Sequence, residues 1–344
     1  METNETNKET LAPDDSEEWS EADGVGYSLA NVRELLIGCL EIADARSVIE
    51  VGSDRGLLTA ELLDWAVGER EIVAVDPAPH SDLEALERNH PELRLVRDTS
   101  HEVLREVELS DAIVLDGDHN YYTLSGELQI IGERADGRDF PLLLFHDVIW
   151  PHARRDSYYV PDRIPDEHRQ PLVQDATVVP GEPGIAEAGL PLKWAAEREG
   201  GERNGVLTAI EDFIRERDDL ELVTVPAFFG FGVVWSRDRD WAERMGEYLA
   251  IWNDHPLLAR LEGNRVEHLV ERLRVYRELE WLHKEATRMH NELTRYYDRM
   301  TRQEEVLLNL LGSGSFALAE RISRVRHRGS TPVSRDRIRR ALDA

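Results

Sequence analysis

The stretch "IEVGSDRGLLTAELL" (residues 49–63) holds a change of pattern. A β-rich apolar run, "SVIEV" (47–51), breaks at Gly52-Ser53-Asp54-Arg55-Gly56, and leucines at helical spacing follow. This reads as strand, turn, helix, the opening unit of an α/β domain. Glycines in such a turn carry no Cβ and let a ligand sit close to the backbone and the helix start. A nicotinamide dinucleotide fingerprint would read G-x-G-x-x-G, but position 54 is Asp and position 57 is Leu. Acids surround the turn instead: Glu50 before Gly52, and Asp54 between Ser53 and Gly56.

The same alternation continues on both sides. "SLANVRELLIGCLEIADA" (28–45) has helical apolar spacing with Ser28 as N-cap. The runs "EIVAVD" (71–76), "LRLVR" (93–97), "AIVLD" (112–116) and "PLLLFHD" (141–147) are continuously apolar, as strands buried on both faces of a parallel sheet must be. A doubly wound α/β sheet is the expected fold. Ligands of such sheets lie at the carboxyl ends of the strands. There the second run ends in Asp76, where nucleotide-binding folds place the acid that holds ribose hydroxyls, and the third leads into Asp98, Thr99 and Ser100, suited to an adenine edge. Four acids around the turn would repel a pyrophosphate, which disfavours nicotinamide cofactors. The runs "LELVTV" (220–225) and "FGFGVVWS" (229–236) have no helix between them, so this hairpin inserts a reversed strand into the sheet.

Residues 148–203 break the rhythm with repeated prolines and read as a long lid or binding loop. A helix resumes at "NGVLTAIEDFIRER" (204–217). Residues 1–24 read as an acidic disordered tail, 25–240 as the α/β domain, and 241–311 as a helical region. In that region an apolar stripe from Val266 to Leu310 predicts a coiled coil or helical hairpin that joins copies of the chain. Residues 312–344 form an arginine-rich tail that could dock on the acidic body, a partner or anionic lipid, or stay solvated.

The 344 residues carry a formal net charge of −28. Lys8, Lys193 and Lys284 are the only lysines among 41 basic residues. This acidic, arginine-biased composition fits a cytoplasm of high salt, where repulsion is screened over a few ångströms. It disfavours nucleic acid as a partner, which needs a basic face. The lone Cys39, in an apolar stretch, reads as a buried small hydrophobe. The polar, acidic first residues are unlike a signal peptide, no apolar run approaches a membrane span, and a soluble cytoplasmic protein is expected.

The acidic glycine turn, Asp76 and the terminal hairpin together resemble the class I S-adenosylmethionine-dependent methyltransferases, over roughly residues 28–238. The resemblance implies a seven-stranded Rossmann-like sheet whose last strand is reversed. It also implies S-adenosylmethionine as cofactor, held by Glu50, Gly52, Ser53, Gly56, Asp76, Asp98, Thr99 and Ser100. The pair "IVLDGDHNYY" and "PLLLFHD" resembles the branch of macrocin-type sugar O-methyltransferases and cephalosporin-hydroxylase-like proteins. Carried over, Asp116 and Asp147 become ligands of a divalent cation, Mg²⁺ for hard oxygen donors, and Asp118 becomes the general base. This chain departs from the sugar enzymes in placing His146 where an acid is usual. Either waters complete the shell, a softer metal is used, or no metal binds and His146 takes the proton. His119 reads equally well as a loop-capping histidine.

Within the long loop, "WPHARRDSYYVPDRIPDEHRQP" (150–171) resembles an insertion in methyltransferases of surface-glycan assembly. Arg154, Arg155 and Arg163 would pair with a uronate or phosphate, and Trp150, Tyr158 and Tyr159 would face a sugar ring. The leading expectation is an O-methyltransferase acting on a glycan or its precursor, in peripheral contact with membrane-bound glycan-assembly machinery through the basic tail. Methylation or oxygenase-like chemistry on a small metabolite is a second reading, and a non-catalytic scaffold a third.

Overall fold

A computed structural model describes residues 26–327 and 334–342. The expected acidic tail and the tail segment around Arg328 lie outside the described residues. The chain forms two compact units, one through Arg274 and one from Val275.

The first unit is built on α1 (Arg33–Ile42), β1 (Ser47–Val51), α2 (Leu57–Trp65), β2 (Glu71–Val75), α3 (Ser81–Asn89), β3 (Leu93–Val96), α4 (Ser100–Glu106), β4 (Ala112–Leu115), α5 (Tyr121–Arg134) and β5 (Leu142–Phe145). A two-stranded ribbon, β6 (Leu172–Val178) and β7 (Leu190–Ala196), follows, then α6 (Val206–Arg215), β8 (Leu220–Val225), β9 (Phe231–Ser236) and α7 (Ala242–Ala250). The sheet order is β3-β2-β1-β4-β5-β9-β8, parallel except for β9, which pairs antiparallel with both neighbours. This is the doubly wound sheet with one reversed strand that the resemblance implies.

Alternate strand residues face opposite layers, and both layers are apolar. Val48, Ala112, Val114, Leu142 and Leu144 pack with Leu36 and Cys39 of α1, Leu62 of α2 and Met245 of α7. Ile49, Ile113, Leu115, Leu143 and Phe145 pack with Leu104 of α4, Leu128 of α5 and Ile210 of α6. Burial on both faces is why the strands read as unbroken apolar runs. In β4 and β5 the acids and histidines are thereby placed just past the strand ends.

Three features differ from the sequence reading. Ser28 caps a 3₁₀ turn, Leu29–Val32, that leads into α1. The stretch expected as a loop contains the β6–β7 ribbon, whose partners are separated too far in sequence for a local signal. The α/β unit does not end near residue 240: α7 supplies Met245 and Leu249 to the core, and Val266, Leu269 and Val270 of α8 (Pro256–Gly312) pack with Val178, Leu190 and Phe229.

In the second unit, α8 continues to Gly312 and α9 (Gly314–Arg326) follows, with Ser313 as N-cap. A short α10 spans Arg335–Leu342. Among the described residues, no helix is long and apolar enough to cross a membrane.

Candidate active site

The glycine turn is shaped by packing. Gly52 has φ +83°, and a Cβ there would lie 2.1 Å from the Asp116 carbonyl oxygen. Gly56, at φ +81°, starts α2 in the left-handed region, where a Cβ would meet Leu86. The bare backbone therefore lets β1 close against β4 and α3. Asp76 is fixed beside the turn: Oδ2 accepts from Asp54 N at 2.8 Å and Oδ1 from Ala78 N at 2.8 Å. Glu50 is buried and accepts from the Thr59 hydroxyl at 2.6 Å, while Ser53 Oγ donates to the Glu50 carbonyl. Burial, reinforced by Asp116 and Asp76, pushes the Glu50 carboxyl up to about 7.

At the end of β3, Asp98 accepts from Thr99 N, and the Ser100 hydroxyl donates to Glu127 of α5. Ser100 is thus engaged with an acid that the sequence reading passed over. Burial raises the Glu127 carboxyl to about 8. Its signal was present: Glu127 shares the apolar helical face of Leu124, Leu128 and Ile131.

The ends of β4 and β5 gather Asp116, His119, His146, Asp147 and His152. His146 Nδ1 lies 3.0 Å from Asp116 Oδ1 and 3.6 Å from Asp147 Oδ2, and Nε2 donates to the Phe228 carbonyl at 2.8 Å. Both ring nitrogens of His146 are engaged, and the two carboxylates lift its pKa to about 10 against the cost of burial. With both ring nitrogens held by partners within the fold, His146 has neither one free for an acceptor proton. His119 Nδ1 lies 3.0 Å from Asp147 Oδ2, and His119 stacks on His152 with ring centroids 4.6 Å apart. Asp147 adopts φ +60°, uncommon for a residue with a side chain and typical of functional sites. His152, hidden among the prolines of the insertion, was missed by sequence reasoning.

Asp118 belongs to the turn after β4. Its Oδ1 accepts from Tyr159 N at 3.1 Å, and Thr123 Oγ1 stands 3.5 Å from Oδ2. Burial raises its pKa above the ordinary carboxylate range. The insertion is anchored over this edge by Ser157 N, which donates to the His119 carbonyl at 2.9 Å. Tyr159 is 59% exposed, and its hydroxyl lies 3.1 Å from His119 Nε2.

Two expected acceptor contacts are instead structural. Arg155 is fully buried and donates to the carbonyls of Ala196, Pro183 and Gly184, pinning the ribbon. Tyr158 is buried, with its hydroxyl donating to Asp156 and accepting from Gln170 N. Arg154 forms a two-pronged pair with Glu211 at 2.6 and 2.7 Å, and Trp150 packs against the apolar cluster beneath the ribbon. Arg163 is exposed.

No protein-family model and no curated protein matches the chain. Solved structures show a partial similarity to it. A Podospora anserina methyltransferase bound to S-adenosylhomocysteine is 15% identical, with TM-score 0.41, 64% of this chain covered and 86% of that one. A Staphylococcus aureus protein provisionally described as a caffeoyl-CoA O-methyltransferase is 11% identical, with TM-score 0.40 and coverages of 64% and 90%. A Klebsiella pneumoniae protein provisionally described as an O-methyltransferase is 14% identical, with TM-score 0.39 and coverages of 66% and 91%.

The side chains at the glycine turn suit S-adenosylmethionine: an anchored acid for ribose and acids near a cationic sulfonium. The donors at the ends of β4 and β5 do not suit Mg²⁺, because imidazoles stand among the carboxylates and Mg²⁺ prefers oxygen and water.

Proposed function

We propose that the chain is an S-adenosylmethionine-dependent O-methyltransferase whose acceptor is a sugar hydroxyl of a surface glycan or its precursor. The observation that carries this reading is Asp76, fixed by two backbone N–H groups beside an acid-rimmed glycine turn at the carboxyl edge of the sheet. When bound, S-adenosylmethionine supplies an electrophilic methyl group on a positively charged sulfur.

This chain's residues would do the rest. Asp76 would hold the ribose, and the acids at the ends of β1 and β4 favour a cationic ligand by charge. Asp118 would take the acceptor proton at Oδ2, since Oδ1 is occupied by Tyr159 N. A base with a pKa raised toward neutrality removes a hydroxyl proton more effectively than an ordinary carboxylate. Alignment of acceptor oxygen and methyl group contributes the larger share. Tyr159, exposed and held by its backbone to Asp118, offers a ring face for a sugar, with Arg163 exposed nearby in sequence for an anionic substituent. A place in the cytoplasm, with the arginine-rich helices α9 and α10 against an anionic assembly surface, fits this role.

The test is transfer of labelled methyl from S-adenosylmethionine onto an extracted glycan pool, compared with a panel of small hydroxylated metabolites. Label in the glycan supports the proposal. Label in a small metabolite alone moves the acceptor class, and no transfer to either pool rejects the activity.

A further inference from the structure

The histidines around Asp147 carry an inference that stands whether or not the chain transfers methyl groups. His152 is 7% exposed, and its Nδ1 is buried with no hydrogen-bond partner. Buried ring nitrogens are nearly always satisfied, so an orphaned one points to a bound group. One nitrogen from each of His119 and His152 and one oxygen of Asp147 lie within 4.8 Å of one another. We infer that His119, Asp147 and His152 form a binding site for a borderline transition-metal ion such as Zn²⁺, Co²⁺ or Fe²⁺, and that this site discriminates against Mg²⁺.

The spacing fits that assignment. Ligands about 2.1 Å from a cation stand roughly 3.0 Å apart at right angles and about 4.2 Å apart when opposed. His119 Nδ1 and Asp147 Oδ2 are 3.0 Å apart. His119 Nδ1 shares a proton with Asp147 Oδ2, and a bound cation would replace that proton. His119 Nε2 would then donate to the Tyr159 hydroxyl 3.1 Å away. Such an outer hydrogen bond on the far nitrogen is the usual support of a ligating histidine.

The donor set decides the metal class. Two imidazoles and one carboxylate with open positions suit Fe²⁺, Zn²⁺ and Co²⁺, whereas Mg²⁺ takes oxygen ligands and water. Asp147 also belongs to a neighbouring set with Asp116 and His146. There, however, His146 is already satisfied on both sides, by Asp116 and by the Phe228 carbonyl. The unpartnered nitrogen lies on His152, which assigns the ion to the His119 side.

The probe is Co²⁺, added to chelator-treated full-length protein and followed by visible ligand-field absorption and calorimetry. One equivalent should bind, and a large excess of Mg²⁺ should leave the spectrum unchanged. His152→Ala and, independently, His119→Ala should each weaken Co²⁺ by roughly a hundredfold or more, at least the loss typical of a supporting residue. Near-ultraviolet circular dichroism shows whether each variant is folded, and Asp116→Asn should change Co²⁺ affinity little. Absence of a Co²⁺ spectrum, displacement by Mg²⁺, or loss on Asp116→Asn with or without loss on His152→Ala would overturn the assignment.

Discussion

Asp156 Oδ1 accepts from two backbone N–H groups far apart in sequence, Tyr121 at 2.8 Å and Gly205 at 2.7 Å. One carboxylate thus ties the start of α5, the insertion and the start of α6, while Oδ2 accepts from the Tyr158 hydroxyl at 2.9 Å. Asp156→Ala should strand these donors in the interior, where each unsatisfied group costs about 1–3 kcal/mol. We expect a loss of roughly 3 kcal/mol or more, seen as a lower urea midpoint with an unchanged m-value. Asp156→Asn, which keeps an acceptor oxygen, should lose less. Equal losses for the two variants would show that the bonds to Tyr121 and Gly205 matter little.

Glu127 and Glu50 make stability depend on pH. Their carboxyls sit at about 8 and about 7 in the folded protein, against an ordinary 4.5. Between pH 4.5 and 8 the folded chain therefore holds protons that the unfolded chain has released, and stability falls as pH rises. Glu127→Gln keeps the size and a hydrogen-bonding group for Ser100 but cannot ionise. Its stability should decline less than the parent's from pH 6 to pH 9 in denaturant titrations. Parallel declines would place the titration elsewhere.

The strands and the acids at their ends were legible because burial on both faces leaves an unbroken apolar run and forces polarity to the edge. Asp76 and Asp116 follow directly on such a run, and Asp147 follows one after His146. The histidine cluster was half legible. His119 and His146 adjoin strands, but His152 reaches His119 only because the chain folds back after β5, and no local periodicity encodes that return. Arg155 shows the opposite error. Its charge suggested an anionic ligand, yet its two terminal nitrogens donate to three backbone carbonyls of the insertion in the interior. Carbonyl partners cannot be read from side-chain identity.

Asp76 should govern cofactor affinity. S-adenosylhomocysteine should bind in calorimetry and NAD should not, since acids around the turn oppose a pyrophosphate. Asp76→Ala should weaken S-adenosylhomocysteine by tenfold or more, the order of one charge-assisted hydrogen bond worth about 1.5–3 kcal/mol. The thermal transition should remain cooperative. Tight NAD binding, or unchanged affinity in the variant, would reject the placement of the ribose.

Asp118 should govern turnover and leave the cofactor alone. Asp118→Asn retains an oxygen for Tyr159 N but cannot accept a proton, and should lower turnover by roughly 10²–10⁴-fold, the usual worth of a positioned base. S-adenosylhomocysteine affinity should match the parent's. If turnover survives in Asp118→Asn, another group takes the acceptor proton.

Helix α8 should join copies of the chain beyond Arg274. Its first turns are spent on the α/β unit, where Val266, Leu269 and Val270 are buried. The later stripe is different: Leu279, Leu282, Met289, Leu293 and Met300 are each about half exposed and recur at three, four and seven residues. An apolar stripe of this length in water favours burial against an equivalent helix, the basis of coiled-coil pairing. Truncation near residue 262 would confuse the test by removing part of the first unit's core. Leu282→Glu with Leu293→Glu in the full chain places charge on the stripe and leaves that core intact. The parent should sediment as a dimer or larger assembly, and the double variant as a monomer with the same thermal transition for the α/β unit. A monomeric parent, or an assembly that survives both charges, would show that the stripe does not join copies.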